Sequence, residues 1–231
     1  HTARFVCTTD DDMAQIATFY AGAMSDARLI ELGPIAQRVG GLDLVLIGAN
    51  DPEAMLRHTQ ECRTRGIPFI ADPSQQLAFA DGPEIRRLVD GAAYLFTNEY
   101  EAHLTEQKTG WSPEEIMRRV DVRIVTRGSS GVTIHRKGDD VISVPVAREV
   151  RKADPTGVGD AFRAGFLTGL AGGLDLRRCA ELGSMLATYV IETVGTQEYL
   201  LGQEHFLGRL ADAYGPDSEA EIRPVVSCRH G

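Results

Sequence analysis

The stretch Asp154-Pro155-Thr156-Gly157-Val158-Gly159-Asp160, running straight into Ala161-Phe162-Arg163-Ala164-Gly165-Phe166-Leu167, decides how this chain is read. Proline and glycine give way at once to an apolar helical run, with an acidic residue at the junction. A helix N-terminus leaves backbone N–H groups unpaired, and its dipole favours negative charge. Glycines at 157 and 159 let the backbone approach a bulky anion closely. Such an anion repels a carboxylate, so Asp160 needs a task there. Abstraction of a proton beside a phosphoryl group is one. Capping the helix is the other, since Asp is a good N-cap.

Outward from this motif, apolar runs over 42–48, 68–71, 93–96 and 122–126 read as strands. Between them, 25–39, 52–66, 83–88, 98–106 and 112–120 read as helices. Strands alternating with helices predict βαβ units and a parallel sheet. Right-handed crossovers then bring the strand ends to one rim, where ligands of such folds bind. The segments at those ends are Gly48-Ala49-Asn50-Asp51, Asp72-Pro73-Ser74-Gln75-Gln76, Thr97-Asn98-Glu99-Tyr100-Glu101 and Thr126-Arg127-Gly128. Residues 3–9 and 13–20 predict a hairpin about Asp10-Asp11-Asp12, a solvated turn rather than a metal site. A second hairpin is expected over 132–136 and 141–146. Helices over 159–172, 175–192 and 203–213 complete the chain, and 227–231 reads as a tail.

The 231 residues carry 24 Lys and Arg against 33 Asp and Glu, a net charge of −9, which argues against a nucleic-acid partner. No apolar run reaches the roughly 18 residues of a membrane span. Cys7, Cys62, Cys179 and Cys228 are widely spaced, with no zinc-like pairing. Buried thiols in a reducing cytoplasm are the expectation. A Walker-type phosphate loop, a dinucleotide fingerprint after a strand and a nucleophile elbow are all missing.

Five further constellations each have two readings. Asn98 and Glu101 order water around Mg²⁺, or they form a capping box at a helix start. Thr126-x-Gly128-x-x-Gly131 brings a nucleotide to the backbone, or is an ordinary turn. Gln75 and Gln76 offer donors and acceptors to hydroxyls or a purine edge, or lie in a helix-entry turn. Phe5 and Phe19, on the two arms of the first hairpin, stack on a base or belong to the core. The basic run Arg148, Arg151 and Lys152 is a solvated edge or a field that recruits polyphosphate.

Together, Asp154–Asp160, Asn98-x-x-Glu101 and Thr126-x-Gly128-x-x-Gly131 resemble the ribokinase-like (PfkB-type) family of sugar and nucleoside kinases. Residues 1–20, 47–53, 71–77, 91–98, 108–112 and 154–169 resemble bacterial adenosine kinases within it. The resemblance implies a three-layer αβα sandwich with a mostly parallel central sheet. Residues 1–22 would be part of a small β-lid, 23–226 the kinase domain and 227–231 a tail. It implies ATP-dependent phosphorylation of adenosine at the 5′-hydroxyl, with Asp160 as base. The N–H groups of Gly157, Val158 and Gly159 would form the anion hole. Asn98 and Glu101 would organise Mg²⁺ through water, and Thr126, Gly128 and Gly131 would line the ATP site. Gln75, Gln76, Phe5 and Phe19 would hold the nucleoside. Asp154, Thr156 and Gly195 would match positions of a K⁺ site, and the lid would serve a homodimer. The family's first strand, with its hydroxyl-gripping Asp and Gly-Gly turn, is not identifiable. The resemblance therefore implies that N-terminal strands, about a hundred residues of the usual fold, precede His1. A sugar kinase and a non-catalytic nucleotide-binding fragment are the alternatives.

Overall fold

A computed structural model of the chain describes residues 1–227. Cys228 and the rest of the expected tail beyond Ser227 lie outside the described residues. The chain divides into two compact units. The first comprises His1–Thr8, Ile16–Arg127 and Thr133–Val141; the second comprises Thr9–Gln15, Gly128–Val132 and the chain from Ile142 onward.

The first hairpin is present: β1 (Arg4–Thr9) and β2 (Gln15–Tyr20) form a two-stranded sheet of their own. Its turn is solvated, as expected. Asp10 Oδ1 accepts from the amides of Asp12 and Ala14 at 3.0 and 2.8 Å. Phe5 and Phe19 are 50% and 53% exposed, which removes the core reading of these rings.

The first unit then alternates β3 (Val45–Ile47), α2 (Pro52–Arg65), β4 (Phe69–Ala71), α3 (Gly82–Val89), β5 (Tyr94–Asn98), α4 (Glu99–Thr109), α5 (Pro113–Arg119), β6 (Val122–Thr126) and β7 (Val132–Arg136). The strands lie in the order β3-β4-β5-β6-β7. The pairs from β3 to β6 are parallel. Short side chains start the helices: Asp51 accepts from Ala54 N, Asp81 and Glu84 form a capping box, and Ser112 accepts from Glu115 N. Met55, Phe69, Leu77, Ile85, Leu95 and Ile116 are the centre of this unit's core.

The single helix expected over 25–39 is two elements, a 3₁₀ helix Gly22–Leu29 and α1 (Leu32–Val39). The break falls at Glu31, whose backbone is extended (φ −113°, ψ 128°). Its side chain does not cap α1. Instead Glu61, on α2, accepts from the amides of Leu32 and Gly33 at 3.0 and 2.8 Å. The start of α1 is therefore set by a residue 28 to 29 positions away.

The second unit carries β8 (Ile142–Val144), α6 (Val158–Ala171), α7 (Leu176–Ile191), α8 (Gln203–Tyr214) and α9 (Pro216–Ser227). Helix α9 lies beyond the three helices expected at the end of the chain. Pro216 starts the helix, where no amide is needed, and Pro224 lies within it. It is held by Ser218 Oγ, buried and donating to Glu181 at 2.7 Å, and by Ile222 in the core with Leu182, Met185, Phe206 and Leu210. Burial pushes the Cys62 thiol up to about 11 and that of Cys179 up to about 12, so both stay protonated; Cys7 is only partly buried.

Candidate active site

Helix α6 begins differently from α2, α3, α4, α5 and α7. Its N-cap is Gly157, left-handed at φ 81° and without a side chain to satisfy the first amides. Asp160 is therefore the third helical residue and not the cap, which overturns the capping reading of Asp160. Its carboxylate is exposed. The amide of Val158 makes a long 3.3 Å bond to Pro155 O, which sets it apart from the other two proposed anion-hole donors, Gly157 and Gly159.

The loop before α6 is fixed by Asp154. One carboxylate oxygen accepts from Thr156 N at 2.9 Å and the other from Gly195 N at 3.1 Å. The Thr156 hydroxyl and these amides hold the Asp154 carboxyl below its usual range. The structure thus brings Asp154, Thr156 and Gly195 together. Gly195 also delivers Thr196, whose methyl would lie 3.0 Å from a Cβ on Gly157. Thr196 walls the glycine in, and the sequence reading missed it. It missed Gln15 as well, whose Nε2 donates to Thr156 Oγ1 at 2.8 Å across 141 residues. A separation of that length leaves no local signal.

In the first unit, Asn98 and Thr126 are paired residues at the ends of neighbouring strands β5 and β6. Asn98 caps α4. Its Oδ1 accepts from Glu101 N, and Glu101 Oε2 accepts from Asn98 N, both at 2.8 Å. The capping-box reading of these two side chains therefore holds. Gln75 and Gln76 lie in a 3₁₀ helix, Ser74–Ala78, entered through Ser74 at φ 45°. Gln75 is exposed, whereas Gln76 lines a cavity of about 240 Å³ with Pro52, Met55, Leu56 and Phe79.

The two glycines of the turn after β6 have different reasons. A Cβ on Gly131 would stand 2.2 Å from Val144 O, so the approach of β8 alone requires it. Gly128, at φ 52°, has open space around its Cβ position. Arg151 donates to Glu192 O at 2.7 Å and Lys152 lies 3.6 Å from Glu149, while both residues are exposed.

Among the described residues no group of three or more His, Cys, Asp and Glu side chains is placed to hold a metal ion. No helix among them is long and apolar enough to cross a membrane.

The chain is similar to a nucleoside kinase of Burkholderia thailandensis solved in complex with inosine. The two are 37% identical at a TM-score of 0.86, covering 93% of this chain and 70% of that one. The same enzyme in complex with ADP-inosine gives a TM-score of 0.85 at 37% identity, over 93% of this chain and 66% of that one. A nucleoside kinase of Methanocaldococcus jannaschii is 31% identical over 202 residues, 87% of this chain and 65% of the relative. The chain thus spans less than two thirds of the length of this curated relative, at 65%. A ribokinase of Thermotoga maritima, 21% identical at a TM-score of 0.67 over 90% of this chain and 69% of its own, has the same fold. The α/β fold with its mostly parallel sheet is ribokinase-like. Residues 1–201 match the model of the pfkB family of carbohydrate kinases, and the chain belongs to that family.

Proposed function

We propose that this chain carries the phosphoryl-transfer machinery of an ATP-dependent nucleoside kinase whose acceptor is the 5′-hydroxyl of a purine nucleoside, adenosine in particular. The observation that carries the reading is the entry to α6: an uncapped, glycine-led helix N-terminus with an exposed carboxylate on its third residue. Similarity to nucleoside kinases, one of them in complex with inosine, supports the acceptor class.

Asp160 takes the proton of the acceptor hydroxyl as that oxygen bonds to the γ-phosphorus. The bond from the γ-phosphorus to the bridging oxygen breaks, and ADP leaves with the electron pair. The amides of Gly157 and Gly159, with Val158 after it releases Pro155 O, stabilise the phosphoryl oxygens. Thr126, Gly128 and Gly131 line the nucleotide. Gln75 and Gln76 bind the nucleoside, and Phe5 and Phe19 cover its base from a lid formed by the first hairpin. Mg²⁺, when bound, neutralises phosphate charge. The ion would arrive on the phosphates and keep most of its water, with Asn98 and Glu101 holding that shell. Asp154, Thr156 and Gly195, brought together at this loop, would hold K⁺. The exposed hairpin residues Val6 and Ile16 suit a homodimer through the lid.

The test is ADP release from ATP with adenosine, inosine, ribose and fructose in competition, on the full-length protein and on Asp160→Asn. We expect nucleoside turnover, and a loss of at least about a hundredfold in the variant. Strong sugar turnover with silent nucleosides favours a sugar kinase, as the family description allows. Calorimetric binding without turnover favours a non-catalytic nucleotide-binding role.

A further inference from the structure

Between Val144 and Val158 the chain forms neither helix nor strand, yet this segment delivers Asp154 and Gly157. Its fixed points lie at the C-terminal end of α7, including its cap Glu192, and on α8. Tyr214 Oη donates to Pro145 O at 3.0 Å, and Arg209 Nη2 to Arg148 O at 3.1 Å. Val150 N donates to Glu192 Oε1 at 2.8 Å, and Arg151 Nε to Glu192 O at 2.7 Å. The amides of Ala153 and Asp154 reach Ile191 O at 2.7 and 3.3 Å. The last residues of α7 thus hold the incoming segment. Three and four residues beyond Glu192, the same chain supplies Gly195 to the Asp154 carboxylate and Thr196 to the wall of Gly157.

Glu192 is the hub. It is only 8% exposed, and its carboxylate accepts from Arg209 Nη1 and Nη2, at 2.8 and 2.7 Å, besides the Val150 amide. Arg209 also lies over the Tyr189 ring, 4.7 Å from its centroid. A buried ion pair adds little net stability over an apolar replacement, so stability alone does not account for it. A planar fork gripping a planar carboxylate fixes direction as well as distance. We propose that Glu192 and Arg209 are positioning residues that set where the Asp154–Gly159 loop stands at the start of α6. Neither touches the reacting atoms. The functional part of this inference rests on the nucleoside-kinase reading; the structural part does not.

The test compares wild type with Glu192→Gln and Arg209→Lys in the full-length protein. Kinetics and hydrogen exchange are measured well below each variant's melting temperature. A misplaced anion loop weakens the transition state more than substrate binding. We expect kcat to fall at least about tenfold while KM for the nucleoside stays within about twofold. Amide exchange should quicken across 145–160 and stay unchanged across 45–126. Arg151→Ala, which leaves the buried pair intact, serves should both variants fail to fold. It should lower kcat about threefold and quicken exchange over the same segment. Wild-type kcat and wild-type exchange over 145–160 in a folded variant overturn the proposal, as does quickened exchange with unchanged kcat. Should the enzyme phosphorylate no nucleoside at all, the kinase reading falls. The exchange comparison then still decides whether Glu192 and Arg209 hold the loop.

Discussion

Replacing Gly157 by alanine separates two contributions at the entry to α6. Gly157 has φ 81°, and a Cβ there would stand 3.0 Å from Thr196 Cγ2 and 3.1 Å from its Cβ. A left-handed backbone costs an L residue about 1–2 kcal/mol. Crowding Thr196 adds about 1–2 kcal/mol more, because both contacts are tighter than ordinary packing accepts. The expected loss is therefore about 2–4 kcal/mol in urea unfolding at 25 °C, with a lower melting temperature. Gly173 in the same unit is the control: at φ 78° with no atom within 4 Å of its Cβ position, Gly173→Ala should lose only the backbone part, about 1–2 kcal/mol. Adding Thr196→Ser to Gly157→Ala removes the methyl and should restore about half the difference between the two glycines. Equal losses at 157 and 173 would refute the idea that Thr196 clamps the turn.

Other perturbations have equally definite outcomes. Asn98→Ala removes the side-chain half of the α4 capping box and should cost about 1 kcal/mol by chemical denaturation. Hydrogen bonding holds the Asp154 carboxyl below its unfolded value, so its stabilisation is present above the unfolded pKa, near 4, and is lost as pH falls through the lower folded pKa. Acid titration of stability should show this limb flattened in Asp154→Asn. Phe5→Ala and Phe19→Ala remove half-exposed rings and should leave unfolding free energy within about 0.5 kcal/mol. Both should raise KM for the nucleoside if the rings cover its base, as a steady-state titration would read.

The sequence was most legible where one segment carries its own instructions. Residues 122–126 and 132–136 are strands as read, and α2 begins at Pro52 behind Asp51 and ends at Gly66, since cap, proline and glycine are all local signals. The break before α1 was illegible because its cap is Glu61, not a neighbour. Helix α9 was illegible because Pro224 argues against a helix and only the docking of Ser218 and Ile222 argues for it. At the site, spacing gave the Asp154–Asp160 and Asn98–Glu101 sets. The residues that hold the first in place, Gln15, Thr196, Glu192 and Arg209, are distant in sequence and were invisible. Asp160 itself was ambiguous until Gly157 took the cap position.

The reciprocal bonds between Asn98 and Glu101 also bear on ligand capture. A glutamate free to rotate loses about 1.5–2 kcal/mol of side-chain entropy when a ligand fixes it. In the capping box that ordering occurs as α4 folds, before any ligand arrives. A hydrated ion meeting Glu101 would then find a carboxylate already held in one orientation, so little additional ordering would oppose the encounter.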